Sequence, residues 1–320
     1  MQRVSQTGLW TQTPPALFPP VLGLFGLGLA WRKADETMGM PSFIGDMILG
    51  AVSLLFLLGV VAYGAKLLRR PGVVLDDLRI LPGRAGAAAA TTAAMLLATT
   101  VVPYSTGLAV VVLLIAVLAH AVLAFLVVVV LSPMPLAQRR ITPVWHLTFV
   151  GFIVAPLAAI PLGAVGASEL ILTLTIPAAL TVWLGHAYVA GRTGTPAPLR
   201  PLLAIHLSPI CLFGIVLAML GYLGFAALFG WISVAAMIIY ILRANYLTAA
   251  GFSPLWGCFT FPLAAFANLM LILGTVSTNF LFLGGLALVG STIVIPWIAV
   301  KVMRLWANGL LAAKTNAAKI

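Results

Sequence analysis

Four side chains with catalytic chemistry lie within apolar stretches of this 320-residue chain: His120, His186, Cys211 and Cys258. A cysteine activated by a histidine is a common nucleophile, so an intramembrane enzyme is one hypothesis. No nucleophile–base spacing is recognisable, however, and the chain has neither a His-Glu-x-x-His metal motif nor a Gly-x-Ser-x-Gly elbow. We therefore predict that the protein is not an enzyme and that it uses no metal or other cofactor.

The histidines have two other possible roles. For His120 and His186, the preferred interpretation is a hydrogen bond between neighbouring helices. A proton relay is the alternative, but it needs polar partners at the same depth, and the sequence shows none. His146 and His206 lie near the ends of their apolar stretches and are expected at the membrane interface.

The remaining candidate for a functional residue is an aromatic side chain. Phe261 directly precedes Pro262 in the segment Leu255–Asn268, and small residues surround the pair. Proline removes a backbone hydrogen bond and bends a helix, so Phe261 could project into a central lumen. A hydrophobic constriction closes a pore by excluding water. Ordinary packing is the alternative role for such a phenylalanine.

The composition is that of a membrane protein. The chain is 62% hydrophobic and 7% charged, whereas an ordinary soluble domain carries about 25% charged residues. Its net charge of +11 is dispersed over loops rather than gathered on one face. The composition therefore does not predict a nucleic-acid partner.

Ten apolar stretches approach the length of about 20 residues that crosses a bilayer. They pair into five helical hairpins, which predicts an all-α polytopic membrane protein with a single transmembrane domain over residues 1–320. The hairpins cover about 15–67, 81–131, 143–190, 200–243 and 252–303. The weakest boundary lies at Gly221. A single long helix there would reverse the orientation of all that follows, which the distribution of charge opposes.

Positive charges alternate along the chain. Fifteen of the 17 basic residues, from Arg3 to Lys319, lie near the termini or in every second gap, and the other gaps hold only Arg32 and Lys33. Lys and Arg in short loops stay on the cytoplasmic side. The pattern predicts a multi-pass protein of the inner (plasma) membrane, surrounded by lipid, with both termini in the cytoplasm.

Prolines also alternate, because they fall mostly in the first helix of each hairpin. A broken helix survives in lipid only where neighbours or water satisfy its freed backbone groups. The first helices are therefore predicted to be the inner ones, and ordinary kinks are the alternative. The third stretch lacks a central proline, but Thr91 and Thr92 could bond back to the backbone in its place.

Several motifs resemble those of the tellurite-resistance/dicarboxylate transporter family (TehA-like), which includes bacterial TehA proteins, fungal malate transporters and the slow anion channels of plant guard cells. The resemblance runs along most of the chain and accompanies the hairpin pattern. It is clearest at Phe18–Leu24 and Leu29–Arg32, at Leu207–Pro209, and at Phe259–Leu263 with Ala267 and Asn268.

The resemblance implies an anion pathway through a central pore inside each subunit of a homotrimer, closed by a phenylalanine that matches Phe261. Small anions such as chloride or nitrate would be its partners. Predicted positions that line or bend the pore are Pro20, Gly23, Thr91, Thr92, Pro156, Pro209, Thr260 and Pro262. Basic residues at the cytoplasmic mouth would concentrate anions, or would serve only as topology signals. These residues are Arg79, Arg84, Arg139 and Arg200.

A carrier for dicarboxylate, sulfite or tellurite-related anions is the competing function. Ion-coupled carriers usually place carboxylates at membrane depth. Here Asp46 lies at the end of a stretch and Glu169 lies in a turn, and no basic residue lies at mid-depth. The sequence therefore favours a passive channel gated by Phe261 over a carrier.

Overall fold

The computed structural model describes residues 12–136 and 138–318 of the chain. Arg3 and Lys319, which belong to the predicted pattern of basic residues, lie outside the described residues, as does the first part of the chain on which the cytoplasmic N-terminus was predicted.

The described residues are mainly helical. The longer helices are α1 (Phe18–Met38), α2 (Ser42–Arg69), α4 (Leu81–Val101), α5 (Thr106–Leu131), α7 (Val165–Thr193), α8 (Leu207–Met219), α9 (Leu223–Leu242), α11 (Gly257–Leu273) and α12 (Thr278–Ala307). The shorter ones are α3 (Val73–Arg79), α6 (Pro156–Ala159), α10 (Ala244–Leu247) and α13 (Leu310–Lys314). 3-10 segments precede α1, α8 and α11: single turns at Pro15–Leu17 and Pro254–Trp256, and a ten-residue 3-10 helix at Ala197–His206.

Seven helical segments in the described part of the chain are long and apolar enough to cross a membrane, and an eighth is added if α3 and α4, which meet at 116°, form one span. The protein is therefore a polytopic helical membrane protein. Helix α1 is also long, but its last turns carry Arg32, Lys33, Asp35 and Glu36. The predicted count of ten spans stays a prediction.

The stretch predicted as a span over 143–163 is not one regular helix. It consists of a π-helical turn at His146–Val150, a 3-10 turn at Gly151–Val154 and the single α-helical turn α6. Pro156 at the start of α6 and Pro161 beyond its end have no N–H to donate, so a continuous α-helical ladder cannot form there. We refer to His146–Ala159 as the broken segment.

The helices divide into a buried set and an exposed set. Two thirds of the apolar core of α8 (with its 3-10 turn) and of α11 is buried, against 28% for α2, α5, α7 and α12 and 17% for α9. Large apolar side chains such as Leu54, Leu114, Leu184 and Ile293 are exposed on the second set. These faces suit contact with lipid tails.

Contacts between the buried elements form a closed cycle: α1 packs on α4, α4 on the broken segment, the broken segment on α8, α8 on α11, and α11 on α1. Each element of this inner ring also packs against the long helix that follows it in the chain. Glycine allows a close approach of α1 to α11, because a Cβ on Gly23 would lie only 2.3 Å from the side chain of Thr260.

A buried ion pair fixes the connection between α2 and α3. Lys66 Nζ lies 3.0 Å from Asp77 Oδ2, and both side chains are fully buried. The hydroxyl of Tyr63 donates to the same carboxylate oxygen at 3.1 Å. The backbone N–H of Ala318 donates to the other oxygen at 2.9 Å. The carboxylate thereby joins the C-terminal segment to the α2–α3 connection.

Candidate functional site

Helix α11 holds Phe261 beside a break in its hydrogen-bond ladder. Pro262 lies inside the helix and has no N–H to donate to the carbonyl one turn earlier. The hydroxyl of Thr260 donates to the carbonyls of Pro19 (3.0 Å) and Gly257 (2.7 Å). The first of these bonds ties α11 to the start of α1 directly next to the aromatic residue.

Asn268 forms a second tie between the same two helices. Its Nδ2 donates to the carbonyls of Gly26 on α1 and Ala264 on α11, both at 2.8 Å. A Cβ added to Gly26 would lie 2.8 Å from the Ala264 side chain and 3.4 Å from the ring of Phe261. The glycine therefore leaves the space in which this ring lies against α1.

Phe261 is 6% exposed and lines three cavities inside the inner ring. The largest, with a volume of about 580 Å³, we name the Arg32 vestibule. It extends from Arg32, Lys33 and Glu36 down to Phe261 and Ala265. Arg32 donates to Asp46 (2.7 Å) and to the carbonyl of Thr100 (3.1 Å), so an acidic partner partly neutralises its charge.

The other two cavities that contact Phe261 are small. The larger void has a volume of about 20 Å³ and the smaller about 10 Å³, which is about the space of a single water molecule. Leu22, Leu147 and Ile205 line both of them. All five elements of the inner ring contribute side chains to the larger void.

A fourth cavity of about 610 Å³, the Arg84 vestibule, opens elsewhere on the molecule and is lined by Arg79, Arg84 and Arg140. No carboxylate lines this cavity in the described part of the chain. One hydrophobic cluster contains Leu202 from its wall together with Ile205, which lines both small voids. Apolar packing therefore lies between this basic vestibule and the voids beside Phe261.

The predicted lining positions fall into two groups. Thr92 and Pro209 line the larger void, and Pro262 lines the smaller one. The others line none of these four cavities. They are Pro20, Gly23, Thr91, Pro156 and Thr260. Gly23 and Thr260 instead pack against each other, and Pro20 contacts Gly257.

Of the four basic residues predicted at the cytoplasmic mouth, two line a cavity and two do not. Arg79 and Arg84 line the Arg84 vestibule, whereas Arg139 does not and its neighbour Arg140 does. Arg200 lies outside that lining. It donates to the carbonyl of Thr195 at 3.1 Å, and its guanidinium lies 3.9 Å from the centre of the Tyr246 ring.

Three of the four histidines form a hydrogen-bonded chain that sequence reasoning missed. His146 Nε2 lies 2.9 Å from His206 Nδ1, and His206 Nε2 lies 2.9 Å from His186 Nδ1. His146 is 2% exposed and lines the larger void, so it is buried inside the protein. Its expected depth near the membrane interface stays a prediction. His206 is the polar partner of His186 that the sequence did not reveal, because His206 was expected at the membrane interface.

The fourth histidine behaves as predicted. His120 Nδ1 on α5 lies 2.7 Å from the hydroxyl of Thr91 on α4, which confirms a hydrogen bond between neighbouring helices. Cys211 and Cys258 are free, buried thiols.

The sequence comparison decides which family this architecture belongs to. Residues 12–305 match the family model SLAC1, described as voltage-dependent anion channel. The chain belongs to the SLAC1 family. No curated protein matches it. The family predicted from the sequence motifs is thus confirmed, and this SLAC1-family chain is a multi-pass membrane protein of a channel and transporter family rather than an enzyme family.

Proposed function

We propose that this SLAC1-family protein conducts small monovalent anions, such as chloride or nitrate, through a pore inside the inner ring, and that Phe261 closes this pore. The observation that carries the proposal is the position of the Phe261 ring, which forms a wall of the Arg32 vestibule and of both small voids. A ring at that position blocks an ion between the vestibules, because the voids beside it have about the space of a single water molecule.

Charge at the Arg84 vestibule supports anions as the permeant species. Arg79, Arg84 and Arg140 line it, and Arg79 is paired with Asp76, which leaves Arg84 and Arg140 without a carboxylate partner among the described residues. In the other vestibule, Arg32 and Lys33 are paired with Asp46 and Glu36. Clustered positive charge at a pore entrance raises the local anion concentration. The neck is apolar, so monovalent anions, which cost less to dehydrate, should pass more readily than divalent ones.

The proposed topology has ten spans in five hairpins, with the inner ring as the first helices and the lipid-facing helices as the second. The cycle of contacts among the buried elements supports it. With the Arg84 vestibule on the cytoplasmic side of the plasma membrane, both termini are cytoplasmic, in accord with the preference of basic loops for that side. Assembly as a homotrimer with one pore in each subunit is part of the same proposal.

Flux measurements on purified protein in liposomes test the proposal. Phe261→Ala should speed chloride and nitrate efflux with no saturation and no counterflow. Phe259→Ala is the matched control, because Phe259 lies on the same helix but packs on Trp256 with ring centroids 5.6 Å apart. Saturable flux with counterflow of a dicarboxylate or sulfite would establish the carrier instead, and equal flux in wild type and Phe261→Ala would remove Phe261 from the pathway.

A further inference from the structure

The three-histidine chain has one end at the Arg84 vestibule and the other at the larger void beside Phe261. His186 lines the Arg84 vestibule, and His146 lines the larger void beside Phe261. His206 bridges them through two contacts of 2.9 Å. Among the described residues, these side chains form a continuous polar path between a basic vestibule and the apolar neck.

The inner end of this path has an unused polar atom. His146 Nδ1 is buried and has no hydrogen-bond partner within the described residues. Burying an unpaired polar group is costly, so such an atom indicates a partner that is absent from the resting arrangement. His146 lines the larger void, which is a space from which a partner could come.

No acidic group in the described part of the chain competes for a proton on this path, because no carboxylate lines the Arg84 vestibule or either small void. The other titratable or charged side chains on the vestibule wall and on the helices packed against the three histidines include Arg79 with its partner Asp76, Arg84, Arg140, Glu169, Tyr188, Arg192, Arg200, Tyr240, Tyr246, His120, Cys211 and Cys258. Glu169 precedes His186 on α7 by several turns and lines neither the Arg84 vestibule nor the two small voids. His120 Nδ1 is bonded to Thr91, whereas its Nε2 is buried without a partner among the described residues. The Tyr240 hydroxyl donates to the carbonyl of Leu203 at 2.8 Å.

The geometry permits a proton to travel along the chain with every atom accounted for. In one neutral arrangement each imidazole carries its proton on Nδ1, so His186 donates to His206 and His206 donates to His146. A proton that binds His186 Nε2 displaces the Nδ1 proton to His206 Nε2, and His206 passes its own Nδ1 proton to His146 Nε2. His146 then holds protons on both nitrogens, and the chain has gained one proton and one positive charge.

We propose that this chain links anion binding in the neck to proton uptake from the Arg84 vestibule, so that acid on that face activates anion passage. The inference rests on the proposed function, since the anion must reach the void beside Phe261. A lone imidazolium or a lone anion is costly in an apolar void. Bound together they neutralise each other, and the N–H at His146 Nδ1 supplies a charge-assisted hydrogen bond to the anion.

Planar-bilayer recording of the full-length Phe261→Ala protein in chloride tests the proposal. The pH of each bath is lowered in turn from about 7.5 to about 5.5, the range in which histidine commonly changes charge. Acid on the Arg84 face should raise the chloride current about tenfold, which corresponds to about 1.4 kcal/mol. Acid on the other face should not. An added Arg140→Cys change, blocked by an impermeant thiol reagent, identifies the Arg84 face.

Variants of the chain separate a proton path from a structural role. His186→Ala and His206→Gln should each abolish the acid response while current at the higher pH remains. Imidazole added to the bath should restore the response of His186→Ala, because the vestibule that His186 lines has room for it at about 610 Å³. His120→Gln is the control, since His120 is buried outside the chain and should leave the response intact. If His206→Gln does not fold, the half-buried His186 carries the test.

The possible failures are distinct. An absence of chloride current in Phe261→Ala at every pH overturns the proposed function and this inference with it. A chloride current that does not change with pH overturns the proton linkage but leaves the proposed function standing. The linkage also fails if the acid response persists in both His186→Ala and His206→Gln, or if it disappears in His120→Gln.

Discussion

Replacement of Lys66 should strongly destabilise the protein, although Lys66 lines none of the cavities beside Phe261. Lys66 and Asp77 are both fully buried and lie 3.0 Å apart. Lys66→Met removes the only cation paired with this carboxylate among the described residues and leaves its charge without compensation. Breaking a buried pair on one side costs about 3–5 kcal/mol, whereas replacing both partners is often nearly neutral.

The rest of the Asp77 environment predicts which second change rescues the first. Tyr63 and Ala318 both donate to the carboxylate, at 3.1 and 2.9 Å. Asn in place of Asp keeps an acceptor oxygen for one donor and removes the charge. Lys66→Met combined with Asp77→Asn should therefore recover more than half of the stability lost in Lys66→Met, or roughly 2 kcal/mol.

Thermal unfolding of the detergent-solubilised wild type, Lys66→Met and the double variant measures these stability differences. Proteolysis of the C-terminal segment gives a second readout, because Ala318 contacts the same carboxylate. The expected order of midpoints is wild type, then the double variant, then Lys66→Met, with cleavage near the C-terminus fastest in Lys66→Met. A Lys66→Met midpoint equal to that of wild type, or a double variant less stable than the single one, would refute the reasoning.

Two further predictions concern packing and the basic vestibule. Gly23→Ala should cost about 1–3 kcal/mol of stability, because its Cβ would lie 2.3 Å from the Thr260 side chain and force α1 away from α11. Gly50→Ala, where no atom lies within 4 Å of the new Cβ, should be neutral or stabilising in the same thermal unfolding assay. Arg84→Gln should lower anion current about twofold at low ionic strength and less at high salt, since it removes a charge from the vestibule wall. Arg200→Gln, which changes a residue outside that lining, should leave bilayer currents unaltered, and an equal loss in both variants would show that vestibule charge does not concentrate anions.

The sequence was sufficient to predict a helical membrane protein, because that prediction depends on hydrophobicity and charge averaged over long stretches of the chain. Long apolar stretches, alternating basic gaps and motifs such as Leu207–Pro209 sufficed for a helical membrane protein of the right family. Proline spacing indicated where helices break, but it did not reveal how far. Pro156 predicted a bend in this span, and the structure has π, 3-10 and α turns in succession there.

Details that depend on side-chain direction were beyond the sequence. Arg139 and Arg140 are neighbours, yet only the second lines the vestibule, because that choice depends on the loop conformation. The histidine chain joins residues 60 and 20 positions apart on three elements. No local spacing encodes that meeting. Its only signal in the sequence was three histidines in or near apolar stretches, which is equally typical of isolated hydrogen bonds.

Single-channel recording in planar bilayers of a graded series at position 261 tests the central claim most directly. Chloride conductance should increase in the order wild type, Phe261→Leu, Phe261→Ala as the side chain that lines the Arg32 vestibule and both voids shrinks. Phe259→Ala should behave as wild type. Equal conductance across the series, or an increase in Phe259→Ala as large as that in Phe261→Ala, would contradict a pore closed by Phe261.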